Sequence, residues 1–253
     1  MTDELNSSAF KDKLQGLEEK FNGKDPEDII GYFIDLFDDK LVLASSLGIE
    51  DQVLTHMALS INPKTRVFVL DTGRLNQETY DVMDKTMSTY NMRYEVYFPD
   101  SVAVEKMVRQ NGPNLFYDSI ENRKMCCNIR KVEPLKRVLD TAYAWITGIR
   151  RDQSVTRKDA KEIEWDDAFD ILKVNPLVQW SEKQVWDYVK KYKIPYNVLH
   201  DNGYPSIGCA PCTRGVEPGQ DLRSGRWWWE NPEQKECGLH MVDGKLVRKP
   251  KSE

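Results

Sequence analysis

Residues 41–73 read LVLASSLGIEDQVLTHMALSINPKTRVFVLDTG, and the order of signals in this stretch decides the fold. Leu41–Ala44 is a short apolar run, Ser45–Asp51 a polar turn containing Gly48, and Gln52–Leu59 has helical periodicity. Arg66–Leu70 is again apolar and β-branched, and Asp71-Thr72-Gly73-Arg74 is a second turn. Strand, loop, helix and strand make one βαβ unit. The pattern continues outward: Leu75–Tyr90 has the polar content of an exposed helix, Arg93–Phe98 reads as a third strand, and Ala144–Thr147 as another, ending in Gly148-Ile149-Arg150-Arg151. The alternation predicts an α/β fold with a doubly wound, mostly parallel sheet, whose ligand site lies at the carboxyl ends of the strands.

Upstream, residues 1–39 carry apolar groups at helical spacing (Phe10, Leu14, Leu17 and Phe21, then Ile29, Ile30, Phe33 and Phe37) and read as two helices. Downstream, Cys126–Leu139 reads as a helix, and Ser181–Tyr192 as an amphipathic one after the Asn175-Pro176 break. From residue 202 Gly, Pro, Arg and Trp dominate and no period persists. We therefore divide the chain into an α/β body with N-terminal helices, residues 1–201, and an irregular tail, residues 202–253, which is not an independent domain.

The composition, 40% apolar and 10% aromatic over 253 residues, is that of a globular protein able to bury a sizeable core. A net charge of −5 argues against a nucleic-acid binder, and no apolar run is long enough for a membrane span. The N-terminal sequence lacks the basic-then-apolar order of a signal peptide, so a cytoplasmic protein is expected. Five cysteines are an odd number for a disulfide framework, which turns attention to metal or redox chemistry.

Four of the five fall in two groups, Cys126-Cys127 and Cys209-Ala210-Pro211-Cys212. Four thiolates from two segments can hold Zn²⁺ or an iron–sulfur cluster, and adjacent cysteines favour the bulkier cluster. The fifth, Cys237 in Glu236-Cys237-Gly238-Leu239-His240, has the setting of a nucleophile if cations hold it as thiolate. The small residues of Ser45–Asp51 admit an anion to backbone N–H groups at a helix N-terminus, and Asp71–Arg74 converges on the same end of the sheet. Cations flank these groups: Arg123, Lys124, Arg130 and Lys131 beside the cysteine pair, Arg150 and Arg151 after a strand, Arg214, Arg223 and Arg226 in the tail. In an acidic protein this gathering points to a small phosphorylated or sulfated ligand. The run Trp227-Trp228-Trp229 reads as an anchor for the tail.

The chain resembles the iron–sulfur class of assimilatory sulfonucleotide reductases, of the adenine-nucleotide α-hydrolase-like fold. The resemblance runs through LVLASSLGIEDQV, VFVLDTGRLNQET, MCCNIRKVEPL, WITGIRRDQS, GCAPCTRG, RSGRWWWE and KECGLH, in that order. It implies thioredoxin-dependent reduction of adenylyl sulfate (APS) to sulfite and AMP, through an S-sulfocysteine on Cys237 with His240 near the reacting end. It implies a [4Fe–4S] cluster on Cys126, Cys127, Cys209 and Cys212. Substrate contacts are expected from Ser45, Ser46, Gly48, Asp71, Gly73, Arg74, Lys131, Arg151, Arg223 and Arg226, and a reduced thioredoxin or glutaredoxin-like dithiol protein as partner. A homo-oligomer is left open. The rivals are a reductase of the 3′-phosphorylated nucleotide (PAPS) or of both nucleotides, an ATP-pyrophosphatase, and a non-catalytic zinc-binding module. The Ser45-Ser46-Leu47-Gly48 loop departs from the Ser-Gly-Gly pattern of the ATP-pyrophosphatases, which counts against ATP cleavage.

Overall fold

Strand β1 (Leu41–Ser45) lies inside a six-stranded sheet and pairs in parallel with β2 (Arg66–Leu70) on one side and β4 (Ala144–Ile146) on the other. The computed structural model describes residues 7–153, 157–217 and 219–230, with backbone alone for 7–12, so Cys237, His240 and the side chain of Phe10 lie outside the described residues. β3 (Glu95–Tyr97) extends the sheet beyond β2, and β6 (Ile171–Val174) beyond β4, both in parallel. β5 (Ile163–Asp166) closes the far edge antiparallel to β6. The order β3-β2-β1-β4-β6-β5 is doubly wound, and the winding changes direction between β1 and β4. A crevice must open there at the carboxyl ends, because the connections leave toward opposite sides.

Each strand's pleat divides the core in two. Leu41 and Leu43 of β1 join Val67, Val69 and Ile146 on one face, under α2 (Pro26–Phe37), α3 (Ile49–Ile61) and α8 (Glu182–Tyr192). Val42, Phe68 and Trp145 point to the other face and meet Leu135, Val138 and Leu139 of α7 (Glu133–Leu139). A strand apolar on both faces is what a parallel central strand requires. Leu43 is fully buried, so Leu43→Ala would cost about 2–5 kcal/mol in lost packing.

The helices follow their local signals. Pro26 starts α2 where a missing N–H costs nothing, and Ser181 and Gln184 form a reciprocal capping box on α8. The two N-terminal helices are present, α1 spanning Ser7–Phe21. α4 is Gln77–Tyr90 and α5 is Ser101–Asn111, the latter capped by the Asp100 carboxylate accepting from the Ala103 N–H. Three features differ from the sequence expectation. The third strand is only Glu95–Tyr97, and the β5–β6 hairpin was not foreseen. The expected helix over 126–139 is α6 (Ile120–Cys127), a wider π turn at Asn128–Val132, and then α7. The described part of the tail, beyond residue 202, has no regular element longer than the turn Ala210–Cys212, yet it packs on a third cluster of Met107, Leu115, Phe116 and Trp227. Among the described residues no helix is long and apolar enough to cross a membrane.

Candidate active site

The crevice between β1 and β4 is a cavity of about 550 Å³. Its floor is the Ser45–Asp51 loop. Leu47 sits there at φ 61°, a left-handed conformation that costs a leucine energy and is held by burial of its side chain in the core. The Ser45 hydroxyl accepts from the Leu47 N–H at 3.2 Å, and Asp51 Oδ2 accepts from the Ser46 N–H at 2.7 Å and the Ser46 hydroxyl at 2.6 Å. Burial pushes the Asp51 carboxyl up to about 6, against the pull of the Ser46 bonds; the charge of Glu50 adds to the rise and Lys131 opposes it. Gly148, just past β4, faces this carboxylate so closely that a Cβ there would stand 2.3 Å from Asp51 Oδ1. Only glycine lets the two loops meet at the switch point.

The loop after β2 is partly engaged elsewhere. Asp71 accepts from the Gly73 N–H at 2.8 Å and from the Tyr80 hydroxyl at 3.0 Å, and Gly73 supplies φ 69°. Asp71 and Gly73 thus shape the turn and do not line the cavity, whereas Thr72 and Arg74 do. The Arg74 guanidinium donates to Pro113 O and Asn114 Oδ1, at 2.9 and 3.0 Å.

Cys126, Cys127, Cys209 and Cys212 line one wall of the same cavity and pack in the third cluster, around Phe116 and Trp227. The π turn places Arg130 and Lys131 beside them, and insertions of this kind recur at functional sites. Cys209 Sγ lies 3.2 Å from the Thr72 hydroxyl, and Arg130 Nη1 donates to Thr72 O at 2.6 Å. Burial raises the Cys212 thiol, neighbouring Cys209 and Cys127 add to the rise, and Arg226 opposes it. Burial likewise raises Cys126 against Arg130. Among the described residues no group of three or more His, Cys, Asp or Glu is arranged as a site for a metal ion. The donor set nevertheless suits a larger anionic centre. Four thiols from two segments converge, Arg74, Arg130 and Arg226 act on them, and the buried Trp227 indole N–H, packed in the same cluster, has no partner among the described residues.

Of the expected cations, Lys131, Arg223 and Arg226 line the cavity. Gly208 makes room for Arg226, since a Cβ there would meet its guanidinium at 2.3 Å. Arg151 is not on the lining: its Nε donates to Ala160 O at 2.7 Å and its Nη2 lies 4.0 Å from Glu162. The lining arginines of that loop are instead Arg150 and Arg157. Arg150 is buried and pairs with Glu50 at 2.8 Å, while Arg157 donates to Gln153 Oε1. The resemblance implied Arg151; Arg157 lies six residues further along a loop whose course the sequence does not give, and no sequence signal marks it. His200 also lines the cavity; burial lowers its ring below the ordinary value and leaves Nε2 without a partner among the described residues. Phe68, Leu135 and Trp145 complete an apolar wall. A cavity with one apolar wall, a loop at a helix N-terminus and clustered cations is built for a nucleotide-sized anion.

Residues 40–215 match the phosphoadenosine phosphosulfate reductase domain. The chain is 51% identical over 204 residues to the adenosine 5′-phosphosulfate reductase of Burkholderia cepacia, covering 81% of this chain and 82% of that one. Among solved structures it superposes on the phosphoadenylyl-sulfate reductase of Candida auris in its phosphate complex, with a TM-score of 0.69 and 26% identity over 80% of this chain and 96% of that one. It shares its fold with the FMN adenylyltransferase of Candida glabrata, at a TM-score of 0.53 and 15% identity over 87% and 78% of the two chains.

Proposed function

The chain belongs to the phosphoadenosine phosphosulfate reductase domain family, and from that membership we propose that it reduces APS to sulfite and AMP in the cavity between β1 and β4. The observation that carries the reading is the convergence, on one nucleotide-sized cavity, of four thiols from two distant segments with Lys131, Arg157, Arg223 and Arg226. In this reading Cys126, Cys127, Cys209 and Cys212 would hold a [4Fe–4S] cluster, which would supply a rigid junction between tail and body and a charged centre. The electrons come from thiols.

The remaining steps belong to the chain's own side chains. The apolar wall of Phe68, Leu135 and Trp145 suits the face of adenine, and the cations offset charge on phosphate and sulfate so that a second anion can approach. Cys237, as thiolate, attacks the sulfate sulfur with His240 near the reacting end; a bond from Sγ to sulfur forms, the bond from sulfur to the phosphate oxygen breaks, and AMP leaves with that electron pair. A thioredoxin-type dithiol then attacks Cys237 Sγ. Sulfite departs, and the second thiol resolves the mixed disulfide, so the dithiol is oxidised by two electrons and Cys237 returns as thiolate. We place this chemistry in the reducing cytoplasm, where four free cysteines in one wall persist.

The closer relatives carry the APS name and the more distant solved structure the PAPS name, so APS is the first substrate to test. Anaerobic enzyme mixed with APS and no reductant should release about one AMP per site and retain a sulfonate on Cys237, the stable half of a covalent two-step mechanism. Peptide mass spectrometry reads the adduct. Normal turnover by Cys237→Ser, or a sulfonate mapped elsewhere, would refute the scheme, and equal turnover of PAPS would refute the choice of substrate.

A further inference from the structure

A buried ion pair fastens the described part of the tail to the helix that carries the cysteine pair. Arg123, on α6 one turn before Cys126, has no exposed surface. Its Nε donates to Glu230 Oε1 at 2.9 Å and its Nη2 to Oε2 at 2.8 Å, a fork on a fork, with the Glu230 side chain 3% exposed. The Arg123 guanidinium also interacts with Cys127. Trp227 is part of the same knot: the guanidinium carbons of Arg123 and Arg226 each lie 4.8 Å from the centre of its rings. Trp227 is 2% exposed and holds φ 40°, a conformation that an L residue keeps only where its surroundings over-determine it.

A buried pair of this kind does little for net stability compared with an apolar pair of equal volume. Its effect is geometric, because either charge left alone in the interior is costly and two parallel bonds fix both distance and plane. The two ends are not neutral ground. Arg123 is three residues from Cys126, and Glu230 is seven residues before Cys237.

We propose that Arg123 is a positioning residue: through Glu230 it holds the root of the segment that carries Cys237 in fixed relation to the helix that carries Cys126 and Cys127. The inference rests on the roles proposed above for Cys237 and the four cysteines.

The test uses full-length, anaerobically purified Arg123→Lys and Glu230→Gln proteins beside wild type, with four readouts: iron per chain, AMP affinity, the rate of tryptic cleavage at Lys235, and kcat and KM for APS. An ammonium cannot bridge both carboxylate oxygens, and a neutral amide leaves the guanidinium uncompensated. We expect both variants to be cut at Lys235 about tenfold faster, as an opened tail should be. We expect kcat about tenfold lower, with KM, AMP affinity and, in Glu230→Gln, iron content within about twofold of wild type. Wild-type cleavage rate and kcat in both variants would overturn the proposal. If Arg123→Lys fails to hold iron, Glu230→Gln decides, since its side chain bonds Arg123 rather than a cysteine; a loss of kcat there that only tracks lost iron would also overturn it. Cleavage and AMP binding need no turnover, so a wild-type protein inactive on APS would sink the functional proposal while these two readouts still judge the latch.

Discussion

Asp51 makes a pH signature that can be worked out in advance. In an unfolded chain an aspartate ionises near 3.9. In the fold burial pushes Asp51 up to about 6. The folded state therefore holds its proton more tightly, and the stabilising contribution of about 3 kcal/mol is fully present below about pH 4 and lost as the pH rises through about 6. About 1.4 kcal/mol of that loss falls between pH 5 and 7.5, a range gentle on the rest of the protein. Asp51→Asn removes the titration. The amide oxygen, in the place of Oδ2, can still accept from both Ser46 donors, so the substitution carries only a pH-independent offset of about 1 kcal/mol. The two effects separate by their pH dependence: the offset is constant, and only the wild type carries the slope. Between pH 5 and 7.5 the melting temperature of wild type should thus fall relative to Asp51→Asn by about 3–6 °C. Thermal unfolding of both proteins across that range, at fixed ionic strength and without nucleotide, measures it. Parallel curves would mean that Asp51 ionises at its ordinary pH in the fold, and that the buried, doubly hydrogen-bonded geometry of the loop is wrong.

Three further outcomes follow from the same geometry. Gly148→Ala should cost about 1–3 kcal/mol of stability and weaken AMP binding about tenfold or more, because the new methyl must push Asp51 and the Ser46 loop aside; calorimetric titration of AMP checks it, and unchanged affinity would show that the loops tolerate separation. Cys209→Ser should lose visible colour and most activity, and full iron content in that variant would remove Cys209 from the centre. Lys131→Ala and Arg223→Ala should each lower kcat/KM by the equivalent of about 1.5–3 kcal/mol if their contacts to the anion are desolvated, whereas wild-type kinetics would return them to the status of surface charges.

The sequence carried the centre of the fold and lost accuracy toward the edges, for physical reasons. β1 and β2 are apolar on both faces and bounded by turns, so their signal needs no knowledge of neighbours. β5 and β6 do need it: Glu164, Asp166 and Lys173 break the apolar pattern, and only the pairing of β5 with β6 brings Lys173 Nζ to 2.9 Å from Glu164 and makes the charges tolerable. The π turn at Asn128–Val132 adds one residue to a helix without any local marker, yet it decides where Arg130 and Lys131 point. At the site, the two cysteine groups stand out by residue type and spacing, whereas the Ser45 loop is an ordinary small-residue turn that only its place at a strand end marks. The partition of arginines was not legible. Arg150 and Arg151 are adjacent and chemically alike, and one turns to Glu50 while the other turns to Ala160 and Glu162. The pairing of Arg123 with Glu230 spans 107 positions and has no sequence signature at all.

An acidic protein that gathers an anion must do so locally. The overall charge of −5 repels an anionic ligand at long range, but at physiological ionic strength fields between exposed charges fade within about 8 Å. What the ligand meets on entry is therefore the lining. The two carboxylates on the cavity floor are both muted: Glu50 is matched by Arg150, and Asp51 is sheltered by the two Ser46 donors. Muting them matters because a bare carboxylate at a helix N-terminus would occupy the very position the backbone N–H groups offer to an anion. With the floor quieted, Lys131, Arg157, Arg223 and Arg226 set the sign of the cavity. An anion drawn to these cations leaves the apolar surface of Phe68 and Trp145 for the uncharged part of the same molecule. Orientation of an asymmetric ligand thus follows from which carboxylates are neutralised as much as from which cations are present.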